Sequence, residues 1–189
     1  MEISLLRHGK SKHIDDNRMT CEEFKSWVKK YDDCGVFEEN FYPTTTLQKV
    51  ESVNLVVTSN LKRSIESAKL LNPTVKVISD PLFRETELPI FPTVLRGLKL
   101  YPKIWAVILR CLWFSGYSRD CESLSNAKDR AKIAADALVT AAQENSGVVL
   151  VGHGFFNMFI GKELQKMGWK CERKLNSKHW NCTTYALLS

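Results

Sequence analysis

The sequence predicts an α/β fold with a mainly parallel sheet, and three observations predict it. Short apolar runs rich in β-branched residues recur along the chain. Amphipathic runs of helical length stand between them. Turns carrying histidine, serine or glycine follow the ends of several apolar runs. Strands alternating with helices form layered sheets, because each crossover is long enough to hold a helix. Ligands then gather at the carboxyl ends of the strands.

The elements follow in order. Glu2–Arg7 is a largely apolar strand. Thr20 and Glu23 form a capping box, so Cys21–Tyr31 is expected to be helical. Asn54–Thr58 reads as a buried strand. Ser59–Leu71 places Leu61, Ile65, Ala68 and Leu71 at helical spacing, and Pro73 stops it. Val75–Ile78 is a further strand. Ser125–Glu144 is an alanine-rich helix with Gly147 just beyond its end. Val148–Val151 is wholly apolar and reads as a strand. Phe155–Met167 is a helix ended by Gly168, and Thr183–Leu188 is the last strand.

The chain has 189 residues, with 44% apolar and 25% charged. That is ordinary globular composition, and it suits one domain over 1–189. The longest run free of Asp, Glu, Lys and Arg, Asn145–Gly161, contains His153, two Asn and four Gly, so it does not read as a membrane span. No secretory signal is visible, and the six cysteines form no CxxC pair. They are expected to be reduced thiols in a cytoplasmic protein. The four histidines form neither HxxxH nor HExxH, so no metal and no other cofactor is expected. A net charge of +6 favours anionic partners. No compact basic run supports nucleic acid, and a phosphorylated small molecule or phosphoprotein fits as well.

Three turns hold groups suited to phosphate. His8 follows the first strand, between Arg7 and Gly9. A neutral imidazole is a nucleophile near pH 7, a guanidinium matches phosphate oxygens, and glycine lets backbone approach an anion closely. Arg63, in TSNLKRSIESA, falls in the first turn of a helix, whose N-terminus favours anions. His153, in VVLVGHGFF, follows a buried strand between two glycines.

Taken together and in this order, LLRHGKS, SNLKRSIESA and VGHGFF resemble the histidine phosphatase superfamily, in its phosphoglycerate-mutase-like branch. The resemblance runs from Ile3 to about Phe159. It implies a three-layer α-β-α sandwich of the phosphoglycerate-mutase type and a metal-independent phosphomonoester hydrolase. It implies that His8 becomes phosphorylated, and that Arg7, Arg63 and His153 hold the phosphoryl group, with His153 protonated. DPLFRETELP resembles the element that carries the general acid. This places the acid at Glu85, or at Glu87 if the alignment slips by two residues.

Departures from the family pattern shape the expectation. Lys10 and Ser11 follow RHG, and Ile14 stands where mutases of the branch often carry asparagine, with Asn17 nearby. No mutase insert is recognisable, so hydrolysis is preferred to phosphoryl isomerisation. The alternatives are a phosphohistidine or other phosphoprotein phosphatase, a phosphoglycerate-type mutase, and a non-catalytic phosphate-binding module.

The segment Leu88–Arg119 contains no acid. It carries Arg96, Lys99, Lys103, Arg110 and Arg119 among Phe91, Tyr101, Trp105, Trp113, Phe114 and Tyr117, and it is divided by Pro89, Pro92 and Pro102. It reads as a cap or lid around 88–119, or as helices packed on the core. Attachment to an anionic membrane surface would also suit it but is not the expectation.

Overall fold

The structure is a computed structural model and describes residues 1–90, 97–171 and 178–187. Its elements are β1 (Glu2–Arg7), α1 (Cys21–Asp33), α2 (Thr44–Glu51), β2 (Leu55–Thr58), α3 (Lys62–Leu71), β3 (Lys76–Ser79), a 3-10 turn (Pro81–Phe83), α4 (Pro102–Phe114), α5 (Leu124–Asn145), β4 (Val148–Gly152), α6 (Gly154–Lys166), β5 (Lys170–Cys171) and β6 (Cys182–Ala186).

The strands form one sheet in the order β3-β2-β4-β1-β6-β5. The pairs β3-β2, β2-β4 and β4-β1 are parallel, and β6 runs antiparallel to both β1 and β5. The sheet is therefore mainly parallel, as the alternation of elements predicts. Side chains on a strand alternate between faces, and this period divides the core in two. Ile3, Leu5, Leu55, Val57, Val148 and Leu150 face one cluster, which α5 and α6 complete with residues such as Leu138 and Ile160. Leu6, Val56, Val149 and Val151 face the other, with Val50 from α2 and Ala68 and Leu71 from α3. Helices on both faces make the three layers.

Three local features differ from the sequence reading. The helix after β2 starts at Lys62 rather than Ser59, because Ser59 turns its backbone N–H onto the Ser64 hydroxyl at 3.1 Å. The left-handed residue closing α5 is Ser146, with φ of 62°, one position before the expected Gly147. Helix α2, TTTLQKVE, is short and opens on three β-branched residues, so the sequence pattern does not mark it. The Leu188 end of the last expected strand lies outside the described residues.

Within 88–119, Phe91, Pro92 and Arg96 also lie outside the described residues. Helix α4 is anchored rather than loose. Trp105 and Leu109 join Met19 and Phe24 in a third apolar cluster, and Trp113 enters the main core. Both indoles are satisfied: Trp105 Nε1–H donates to the Met19 carbonyl at 2.7 Å, and Trp113 Nε1–H to Glu122 at 2.7 Å. Arg110 is buried, not solvated, and donates to the Thr86 hydroxyl at 2.8 Å and carbonyl at 2.9 Å. Among the described residues, no helix is long and apolar enough to cross a membrane.

Candidate active site

Strand register builds the site. Arg7 pairs with Gly152 across β1 and β4, so His8 and His153 emerge side by side, their ring centroids 5.0 Å apart. The His8 backbone N–H donates to the Gly152 carbonyl at 3.1 Å. Its Nδ1 lies 2.7 Å from the Gly9 carbonyl. A carbonyl only accepts, so Nδ1 carries the proton and Nε2 keeps its lone pair. Burial, and then the charge of Arg63, push His8 well below the ordinary histidine range. The Gly9 bond opposes this, and Arg7 and His179 add to it. The side chain is thus a neutral imidazole at pH 7.

Gly9 has another reason to be glycine than the one the sequence suggests. A Cβ there would lie 2.1 Å from the Trp180 ring, so the indole, not an anion, occupies the space beside it. Trp180 is held by its Nε1–H bond to Glu39 at 2.7 Å. Its neighbour His179 donates Nδ1–H to the His8 carbonyl at 2.9 Å, and the two rings are 5.5 Å apart. His179 belongs to no motif, and nothing local in KHW marks it as part of this site.

His153 is fully buried and is the N-cap of α6. Its Nε2 meets the Ser59 hydroxyl at 2.7 Å. That hydroxyl accepts the Leu61 N–H at 3.3 Å, and among the described residues Nε2 is the acceptor for its own proton, so it donates to Nε2. The imidazole proton then sits on Nδ1, which is buried and has no partner among the described residues. Burial first, then Arg63, His8, Arg7 and Arg130, hold His153 well below the ordinary histidine range. These groups favour the neutral ring, an N–H donor, and Arg7 and Arg63 carry positive charge beside it.

Arg7 lies against the second turn, since a Cβ on Gly154 would be 3.6 Å from its Nε. Arg63 is almost wholly buried and is gripped by the end of α1. It donates from Nη1 to Asp32 at 2.6 Å, and its Cζ lies 4.7 Å from the centre of the Tyr31 ring. Its Nε has no partner among the described residues. Burial raises the Tyr31 phenol above its usual range; Arg63 and Arg7 pull it back, and Glu85 and Asp32 push it up. These four charged groups and the phenol share one neighbourhood.

The two carboxylates of FRETELP part company. Glu85 sits at the N-terminus of α6. It accepts the Phe156 N–H at 2.9 Å, the Phe155 N–H at 3.1 Å and the Thr86 N–H at 3.0 Å. It therefore stands one turn from His153. Glu87 is exposed and accepts the Glu122 N–H at 3.4 Å, away from the histidines. A cavity of about 210 Å³ opens beside Tyr31 and His179, bordered also by Lys10, Ser11, His13, Asp15 and Asp16 and by Pro102 and Lys103 at the start of α4.

A neutral imidazole with a free lone pair, an N–H donor opposite, and two guanidiniums can bind an oxyanion and attack it. The sequence profile of the histidine phosphatase superfamily (branch 1) matches residues 44–187. The chain belongs to this superfamily. The match covers Arg63, Glu85 and His153 but begins beyond Arg7 and His8, whose place in the site rests on the β1–β4 register.

Solved structures of superfamily type share the fold at low identity. A phosphoserine phosphatase from Entamoeba histolytica, in complex with phosphoserine, is 14% identical over 97% of this chain and 89% of its own, with a TM-score of 0.59. A mycobacterial glucosyl-3-phosphoglycerate phosphatase is 22% identical over 87% and 79%, with a TM-score of 0.56. The α-ribazole phosphatase from Shigella flexneri is 13% identical over 97% and 89%, with a TM-score of 0.56. No curated protein sequence matches the chain.

Proposed function

We propose that this histidine phosphatase superfamily member hydrolyses phosphate monoesters through a phosphohistidine on His8, without a metal or other cofactor. The observation that carries the reading is the tautomer of His8: Nδ1–H tied to Gly9, Nε2 free, beside the Nδ1–H of His153 and between two arginines. Nε2 attacks phosphorus while the ester P–O bond breaks, and Glu85 delivers a proton to the leaving oxygen. Water then attacks the phosphohistidine, Glu85 takes its proton, and the P–N bond breaks to release phosphate. Arg7, Arg63 and His153 hold the equatorial oxygens as charge shifts between them.

The 210 Å³ cavity meets the site through Tyr31 and His179, and in this reading it takes the alcohol part of a phosphorylated small molecule. Pro102 and Lys103 on its border support reading the segment 88–119 as a cap over this single domain. A cytoplasmic location completes the reading. The test is rapid quench with a ³²P-labelled monoester: acid-labile, alkali-stable label on the wild type and none on His8→Ala. Label that persists on a folded His8→Ala protein refutes the mechanism.

A further inference from the structure

Asp32 occupies an unfavourable place for its charge. It is the penultimate residue of α1, at the helix end where the peptide dipoles disfavour an acid, and Asp33 follows it. It is half-exposed, yet it reaches Arg63, whose side chain is only 3% exposed. The pair is short, 2.6 Å from Nη1 to Oδ1, and Tyr31 of the same helix covers the guanidinium at 4.7 Å. Arg63 Nε is buried and has no partner among the described residues. One edge of this guanidinium is thus committed to a carboxylate, while another donor meets no described acceptor.

We propose that Asp32 is an affinity-setting residue of the phosphate site: it holds a share of the Arg63 charge and so weakens the hold on the phosphate dianion. The proposal rests on the reading of Arg63 as a phosphate ligand. A buried guanidinium needs a counter-charge before substrate arrives, and Asp32 supplies it. Once the dianion binds, two anions share one cation, and the carboxylate repels the phosphoryl oxygens across it. A site with two arginines would otherwise retain its product; Asp32 favours release. Asp32 touches neither substrate nor the reacting atoms, and it acts through Arg63.

Charge and geometry separate in the test. Inorganic phosphate is used as competitive inhibitor of p-nitrophenyl phosphate hydrolysis at constant ionic strength, and is titrated separately by calorimetry. Asp32→Asn keeps an oxygen acceptor for Nη1 and removes the charge. It is expected to tighten phosphate about five- to tenfold, with KM falling in the same direction. Asp32→Ser, a second neutral variant, is expected to move the same way, and Asp32→Glu to stay within about twofold of wild type. A residue that merely braced Arg63 would give unchanged or weaker binding in the neutral variants, and that result overturns the proposal. Phosphate binding that tightens in a protein that hydrolyses no monoester supports this proposal and refutes the catalytic reading. A wild type that binds no phosphate refutes both.

Discussion

The turns after β1 and β4 occupy equivalent places, adjacent strand ends of one parallel pair, and each presents a buried histidine. Their hydrogen bonding is opposite. After β1 the chain stays extended, and the His8 ring folds onto its own neighbour's carbonyl, freeing Nε2. After β4 the chain enters α6 at once, and the His153 ring meets the Ser59 hydroxyl through Nε2, leaving Nδ1–H. Two like residues are thus set up for the two roles proposed for them, nucleophile and donor. The difference lies in the partner, a carbonyl that can only accept against a hydroxyl whose proton has His153 Nε2 as its acceptor among the described residues.

The largest test of this contrast removes one member. His8→Ala is expected to abolish turnover, a fall of about 10⁴-fold or more, with the circular dichroism unchanged. If His153→Ala fell as far and His8→Ala did not, the roles would be reversed. Glu85→Gln is expected to slow an alkyl phosphate by about 10²–10⁴-fold, and the burst of an activated aryl phosphate far less. Should Glu87→Gln show that leaving-group dependence instead, the acid would be the one that contacts Glu122.

His153→Ala removes one donor to the transferring group, and a loss of about 10²–10³-fold in kcat is expected. Ser59→Ala frees the ring to take the other tautomer, and a loss of about tenfold follows from one hydrogen bond. Equal activity in Ser59→Ala would show that the tautomer of His153 is set elsewhere.

The smallest effects lie in pH dependence. His8 must be neutral to attack, and its depressed pKa keeps it neutral as pH falls, so the acid limb of kcat/KM is expected below the ordinary 6.5. Arg63→Gln removes a charge that depresses it, and the limb is expected to move up towards 6.5. Stability follows the same sign. Above 6.5 both histidines are neutral folded or unfolded; below it the unfolded chain takes up their protons first, so Tm is expected to fall.

How far the sequence reads the molecule varies by element. The capping box at Thr20–Glu23 forms as expected, with the Glu23 N–H on the Thr20 hydroxyl and the Thr20 N–H on the Glu23 carboxylate. Such a motif is legible because both partners lie within one turn. Helix α4 is apolar but for Lys103 and Arg110, a composition that suits a cap and a core-packed helix alike, and its buried Trp105, Leu109 and Trp113 are what anchor it. In FRETELP the sequence admits two carboxylates, and only the docking of Glu85 on the α6 amides separates them.

The sequence by itself determined the strands, most of the helices, and the presence of Arg7, His8, Arg63 and His153 at strand and helix ends. Apolar spacing and turn residues are local, and local energetics suffice to place them. Only the tertiary structure decided which of these groups meet. The β1–β4 register sets the histidines side by side, and the end of α1 brings Tyr31 and Asp32 onto Arg63. The loop before β6 lays His179 and Trp180 against His8 and Gly9. Those contacts join residues up to 171 positions apart. No short-range pattern encodes them, because burial and strand pairing, not chain neighbourhood, select the partners.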